Sequence, residues 1–375
     1  MSRPPDATWP RPAPDRRPAR TSRSSAKAGP APAQPKRVTI SDVATLAGVS
    51  LGTVSNVLNR PFMVAPATRE RVLDAIDMTG FVRSTAAHQL RVGKSRTVGV
   101  VLIDLANPFF AEMVRGAERV LRDEGYVLMV CSSDESMERE RRYLRVLEEH
   151  RVDGLLIAPV APELDSVAEL AGRGIPCVLI DRDGSGVDLC SVTVDDTRGG
   201  ELAASHLFDL GHNSIALVNG PLSIRQCADR REGAWRALRR ARRTAPATIE
   251  EISVSALTVE QGEAAAAALL SSSPPPSAVM CANDLLALGV LKGLTEAGVD
   301  VPGNVALVGY DDVSFASMLS PSLTSVRQPK FELGAAAAEL LLEETARSDH
   351  RHHSVRFEPE LIVRASSRRP TRTAQ

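Results

Sequence analysis

From residue 98 onward the chain repeats one unit: a short, almost wholly apolar run followed by an amphipathic stretch of helical period. The runs fall at 98–104, 126–133, 152–159 and 177–181, then again at 214–220, 249–255, 276–282 and 305–310. Helices are predicted between and after them, over 109–124, 137–150, 163–173, 197–210, 228–242, 259–271 and 285–297. Strands that are apolar on both faces and alternate with helices belong in parallel sheets covered on both sides. Two similar series predict two doubly wound α/β subdomains rather than one very wide sheet.

Residues 38–81 obey a different rule. Thr39 caps a predicted short helix whose inward positions are Ile40, Val43, Ala44 and Ala47, and Gly48 breaks it. Val49 then points inward, and Ser50 caps a second helix over 51–58 with Val54, Val57 and Leu58 buried. A third helix is predicted over 69–78 with Val72, Leu73 and Ile76 inward. On periodicity alone this is a helix-turn-helix unit or another small helical bundle. Charge favours the first. Residues 1–37 hold nine Lys/Arg against two Asp/Glu, and residues 38–97 hold seven against four. With a net charge of −1 overall, the remainder carries −11. A basic front on an acidic body points to a polyanion at the front only.

Other classes find little support. No stretch of about 18 apolar residues occurs that would span a membrane. The N-terminus lacks the apolar core of a signal peptide, and the five cysteines show no CxxC spacing. The expectation is therefore a cytoplasmic protein without disulfides or a zinc cluster. Nine of the 25 prolines lie in residues 1–36, which read as a disordered basic tail. GxGxxG after the first strand, GxxxxGK[ST] and HExxH are all missing, so neither an enzyme nor a cofactor is expected. His350, His352 and His353 sit among Arg, Ser and Asp and read as a solvated turn, not a metal site.

The run VTISDVATLAGVSLGTVSNVLN (38–59) and then TRERVLDAIDMTGF (68–81) resembles the head of LacI/GalR-type bacterial transcriptional regulators. The body agrees through NPFF (107–110), VDGLLIAP (152–159), VLIDR (178–182), HLFDLGH (206–212), AND (282–284), VALVGYDD (305–312) and LTSVRQP (323–329). The resemblance covers about 38–366. It implies a small all-α helix-turn-helix head over 37–83, a hinge over 84–96, and a core over 97–368 like a type I periplasmic sugar-binding protein. The N-subdomain would comprise about 97–193 and 330–357, and the C-subdomain about 194–326 and 358–368, leaving 369–375 as a tail. The implied function is a sequence-specific DNA-binding regulator, most simply a repressor. It would be homodimeric on a pseudo-palindromic operator and controlled by a sugar-like effector. A transport protein would share the core but need a signal peptide and no head.

The resemblance also assigns residues. Leu51, Gly52 and Asn56 match the positions that read bases in the major groove, and Asn56 can pair bidentately with adenine. Thr39, Ser50, Thr53, Ser55, Asn59 and Thr68 match positions that hold phosphates. In the hinge, Leu90 matches a leucine wedged into the minor groove, beside Ala87 and His88. The chain departs from the family in having Leu51 and Gly52 where long polar side chains are common, and Arg83-Ser84 where Pro-Asn usually opens the hinge.

Ligands of such sheets bind beyond the carboxyl ends of the strands, where Asp104–Phe110, Asp134, Asp181-Arg182, Asn283-Asp284 and Asp311-Asp312 lie. By the family match, Phe109 and Phe110 line one wall of an effector cleft with Asp181 and Arg182 nearby. Gln226 and Arg230 of an RxxG pattern, with Met280, Asn283 and Asp311, form the other. Asp284 is expected to cap a helix instead.

Overall fold

The computed structural model describes residues 38–82, 95–184, 186–242, 246–347 and 349–368, which fall into a small head and a large core. Both expected tails lie outside the described residues, as do the hinge positions Ala87, His88 and Leu90.

The head contains α1 (Ile40–Ala47), α2 (Leu51–Asn59) and α3 (Pro66–Thr79). Gly48, at φ 65°, takes the left-handed conformation that ends α1. The Ser50 hydroxyl then accepts the Thr53 amide at 3.1 Å and starts α2. Val43, Ala44, Ala47, Val54, Val57, Val72 and Ala75 form one buried cluster, with Ile40, Val49, Leu58 and Ile76 packed against it. Two expectations need correction. Pro66 starts α3 earlier than expected, because proline suits the first helical turn. Leu73 is 46% exposed, because Val72, Ala75 and Ile76 define the inward stripe and Leu73 falls beside it.

The core holds two six-stranded sheets. The first runs β11-β5-β4-β3-β1-β2, with β1 (Thr97–Leu102), β2 (Val127–Ser132), β3 (Gly154–Ile157), β4 (Cys177–Ile180), β5 (Cys190–Val194) and β11 (Ser354–Phe357). The second runs β12-β10-β9-β8-β6-β7, with β6 (Ser214–Asn219), β7 (Thr248–Ser253), β8 (Ala278–Cys281), β9 (Ala306–Asp311), β10 (Thr324–Arg327) and β12 (Glu360–Ile362). All pairings are parallel except β12 on β10, an antiparallel edge. β11 returns to the first sheet after β10, so the chain passes between sheets at β5, at β10 and at β11. The helices are α4 (Pro108–Asp123), α5 (Met137–Glu149), α6 (Asp165–Gly172), α7 (Asp196–Asp209), α8 (Arg225–Ala241), α9 (Val259–Ser271), α10 (Asp284–Glu296) and α11 (Lys330–Ala346).

Apolar clusters on both faces of each sheet make the core. α7 lies so close to α8 that a Cβ on Gly233 would meet the Thr197 carbonyl, and one on Gly200 would meet that of Arg230. The glycine of the RxxG pattern thus has a packing reason, and the contact fixes the helix that carries Arg230. The strands β5, β10, β11 and β12 are only three to five residues long, too short for their periodicity to mark them in the sequence. Among the described residues no helix is long and apolar enough to cross a membrane.

Candidate functional site

On the head, α2 presents Leu51 (51% exposed), Gly52 and Asn56 to solvent. Ser50 and Thr53 are joined through their hydroxyls at 2.9 Å, and Asn59 donates to the Ser55 carbonyl at 2.6 Å. Thr39 is exposed, with its amide and hydroxyl both 2.7 Å from the Asp42 carboxylate, while Thr68 is half-buried in α3. The helix that begins after a three-residue turn therefore carries an exposed amide flanked by short polar groups, each held by a local bond. That is the layout of a helix that enters a groove: one face packed, one face polar and shallow.

In the core, a cleft of about 430 Å³, open mouth included, lies beyond the carboxyl ends of both sheets. The first subdomain contributes Ile103 and Asp104 after β1, Asn107, Phe109 and Phe110 at the start of α4, Glu135 after β2, and Asp181 after β4. The second contributes Ile224, Gln226 and Arg230 from the region of α8, Leu257, Asn283 before α10, and Asp311 at the end of β9. Asn107 caps α4 by accepting the Phe109 amide at 3.0 Å, which turns Phe109 and Phe110 inward as an edge-to-face pair 5.0 Å apart. Asp181, Asp311 and Glu135 have φ of 57°, 103° and 58°. Non-glycine residues adopt such backbone at a cost of about 1–3 kcal/mol each, and such positions concentrate at ligand sites.

Hydrogen bonds cross the cleft from wall to wall. Gln226 donates to the Asp181 carboxylate and carbonyl at 2.8 and 2.9 Å. Asn107 donates to Asp311 at 3.3 Å, and Glu135 accepts the Leu257 amide at 3.1 Å.

Arg230 is the electrostatic centre. Its Nε is 2.7 Å from Asp196, one terminal nitrogen donates to the Ala282 carbonyl at 2.6 Å and lies 3.8 Å from Asp311, and the guanidinium stacks 3.7 Å above the Tyr310 ring. Burial raises the pKa of Asp181, Asp196 and Asp311, and the Arg230 charge works against that rise in all three. For Asp181 burial and the neighbouring Asp196 charge win, lifting it to about 7. Its Oδ1 is buried without a hydrogen-bond partner.

Seven of the nine expected cleft residues line it: Phe109, Phe110, Asp181, Gln226, Arg230, Asn283 and Asp311. Two do not. Met280 lies inside β8, not beyond its end, and strand alternation turns its side chain into the cluster of Ala203, Leu207 and Ala234. Arg182 follows the strained Asp181 but points away, donating to the Pro162 carbonyl at 2.5 Å. Asn283, not Asp284, caps α10, accepting the Leu286 amide at 2.9 Å. Asp284 is buried and accepts from Val313 N at 2.9 Å and Ser325 Oγ at 2.7 Å. Of the residues after β2, Asp134 pairs with Arg139 and Ser132 outside the cleft, while Glu135 faces it. Glu135 carried no signal beyond its place after a strand. Asn107 carried one, since Asn before Pro is a helix cap, yet its bond to Asp311 depends on two segments far apart in sequence. His350 and His352 are not a solvated turn: they face Cys190 and Glu344, because β11 pairs with β5 and draws the preceding loop inward.

The head and core match two family models in this order: bacterial regulatory proteins of the lacI family over 39–84, and periplasmic binding proteins and sugar-binding domain of the LacI family over 95–359. The chain belongs to the LacI family. It is 34% identical to the HTH-type transcriptional repressor PurR of Aliivibrio salmonicida over 334 residues, covering 88% of this chain and 98% of that protein. A LacI family regulator from Enterococcus faecium with bound ribose shares 33% identity at a TM-score of 0.67, over 72% of this chain and 98% of that one. The lac repressor dimer bound to operator and the anti-inducer ONPF shares 27% identity at a TM-score of 0.75, over 88% of this chain and 99% of that one. This LacI family member is thus a DNA-binding transcriptional repressor controlled by a small-molecule effector, in a family of regulators rather than enzymes.

Proposed function

We propose that the effector is a sugar or a closely related polyhydroxylated metabolite, held in the cleft between the two core subdomains. One observation carries this reading: a two-phenylalanine wall faces a set of buried carboxylates and amides, and one of those carboxylate oxygens, Asp181 Oδ1, lacks a partner. An aromatic wall suits the apolar face of a sugar ring, and carboxylates and amides suit its hydroxyls. Asp181, Gln226, Asn283 and Asp311 would make those bonds, and Arg230 would hold the carboxylates in place. The ribose complex of the Enterococcus faecium relative supports the same class.

The sequence-derived organisation completes the reading. A head over 37–83 and a hinge over 84–96 would join a core divided at about 193, 326–330 and 357. Asn56 would read a base, Leu51 would contact a thymine methyl, Gly52 would admit the close approach, and Thr39, Ser50, Thr53, Ser55, Asn59 and Thr68 would hold phosphates. Ala87, His88 and Leu90 would meet the minor groove. One head reads few base pairs, so two chains on a pseudo-palindrome supply useful affinity, in the cytoplasm where the operator lies.

A thermal-shift screen of sugars and nucleosides, followed by operator titration with each hit, tests this. A sugar should raise the midpoint and change operator affinity by a coupling of about 1–3 kcal/mol. Stabilisation by nucleosides alone, or by no polyhydroxylated compound, would overturn the effector class.

A further inference from the structure

We propose that Cys190, Glu344, His350 and His352 form a four-ligand site for a divalent transition metal of the zinc type, at the edge of the first sheet remote from the effector cleft. The four side chains come from three elements: the first residue of β5, the last turn of α11, and the connection leading to β11. Their ligand atoms all lie within 4.8 Å of one another. Cys190 Sγ is 3.1 Å from His350 Nε2, and His352 Nδ1 is 4.0 Å from Glu344 Oε2. Zinc with one sulfur and nitrogen or oxygen ligands needs separations of roughly 3.3–3.8 Å, so the widest pairs would close by about 1–1.5 Å at most.

The second observation is an unmet need. Glu344 Oε2 and His352 Nδ1 are both buried without a hydrogen-bond partner. A buried carboxylate oxygen and a buried imidazole nitrogen facing each other beyond bonding distance cost free energy unless something lies between them. Cys190 Sγ and His350 Nε2 already lie within hydrogen-bond distance of each other, so the unmet pair is Glu344 and His352, and a single cation would engage all four. The backbone of His353 bonds to Cys190 and that of Cys177 to Glu344, fixing two ligands from outside the cluster. Soft thiolate with imidazole and one carboxylate in a four-ligand set selects zinc over magnesium or calcium.

The ion would fasten the end of α11 and the loop after it to β5. β5 and β1 are parallel members of one sheet, so this edge is the one on which Thr97 opens β1. α11 begins where the chain crosses from β10 back to the first subdomain, so the metal would anchor the far end of an inter-subdomain crossing.

The test uses the full chain, freed of any affinity tag and treated with chelator. Zinc is then titrated in competition with a chromogenic chelator, and cobalt(II) is added to a second sample. The expected results are one zinc per chain and a cobalt spectrum with a thiolate charge-transfer band and intense tetrahedral visible bands. Cys190→Ser should abolish the charge-transfer band, and His352→Gln should weaken zinc binding at least about tenfold, the lower end for disturbing a metal site. His352 lies on a loop, so its variant remains informative if Cys190→Ser fails to fold. Failure to compete with the chelator, a cobalt spectrum without the thiolate band, or unchanged affinity in His352→Gln would each overturn the site.

Discussion

The head and the effector cleft do their work with opposite arrangements of polar groups. On α2 Leu51 and Asn56 stand in solvent, and their half-buried polar neighbours are steadied by bonds local to the helix and its cap, as Asn59 is by Ser55 and Thr53 by Ser50. In the cleft the polar groups are buried and share partners: Arg230 serves Asp196 and Asp311 and offsets the burial of Asp181. Exposed groups screened by water act nearly independently, whereas buried charges are coupled through a poor dielectric. A substitution on the head should therefore change one function, and a substitution in the cleft should disturb several groups together.

The largest expected effect tests that coupling. Arg230→Ala should destabilise the core by roughly 3–5 kcal/mol, because it strands buried carboxylates without their cation. Thermal denaturation of the full chain should show a large drop in midpoint along with loss of effector response. A variant that keeps the wild-type midpoint and merely fails to respond would mean that Arg230 is a ligand contact rather than the support of the network.

Next in size comes Asn56→Ala. Its midpoint should stay unchanged, while discrimination at one base position per half-site falls by about 1–3 kcal/mol. Competition binding against operators varied one position at a time reads this directly. Equal losses on every operator would place Asn56 among the phosphate contacts and remove the contrast with its neighbours.

The carboxylate at Asp181 gives a smaller, pH-dependent effect. Raised to about 7, it is mostly protonated at about pH 6 and mostly ionised at about pH 8. A neutral ligand hydroxyl that donates to Asp181 favours the ionised form, so affinity should rise several-fold as pH climbs through that interval. Asp181→Asn should flatten the profile. Calorimetry across the range decides the sign, and affinity that falls with rising pH would show that the protonated acid donates to the ligand.

Smallest of all, Ser50→Ala should cost the head about 1 kcal/mol by removing the α2 cap. It should also weaken operator binding evenly across sequences. A sequence-dependent loss would make Ser50 a reading residue.

Much of this was legible without coordinates. The head follows from the spacing of Val43, Ala47, Val54, Val57 and Val72, because local periodicity reports which face is buried. The cleft walls follow from polar residues at strand ends, since parallel strands deliver all their carboxyl ends to one edge. Leu73 was misplaced because a periodic pattern cannot say where the inward stripe ends. Met280 was misplaced because a motif match does not tell whether a residue lies within a strand or past it.

What the sequence determined by itself was the alternation of elements, the chemistry offered at each strand end, and the family. Tertiary structure decided which of those groups meet. Asn107 reaches Asp311, Gln226 reaches Asp181, and His350 reaches Cys190 across 204, 45 and 160 residues of chain. No local pattern encodes such pairs. They exist because β11 folds back to the first sheet and the crossings bring two sets of strand ends together. The partner of a buried polar group is fixed by the packing that buries it.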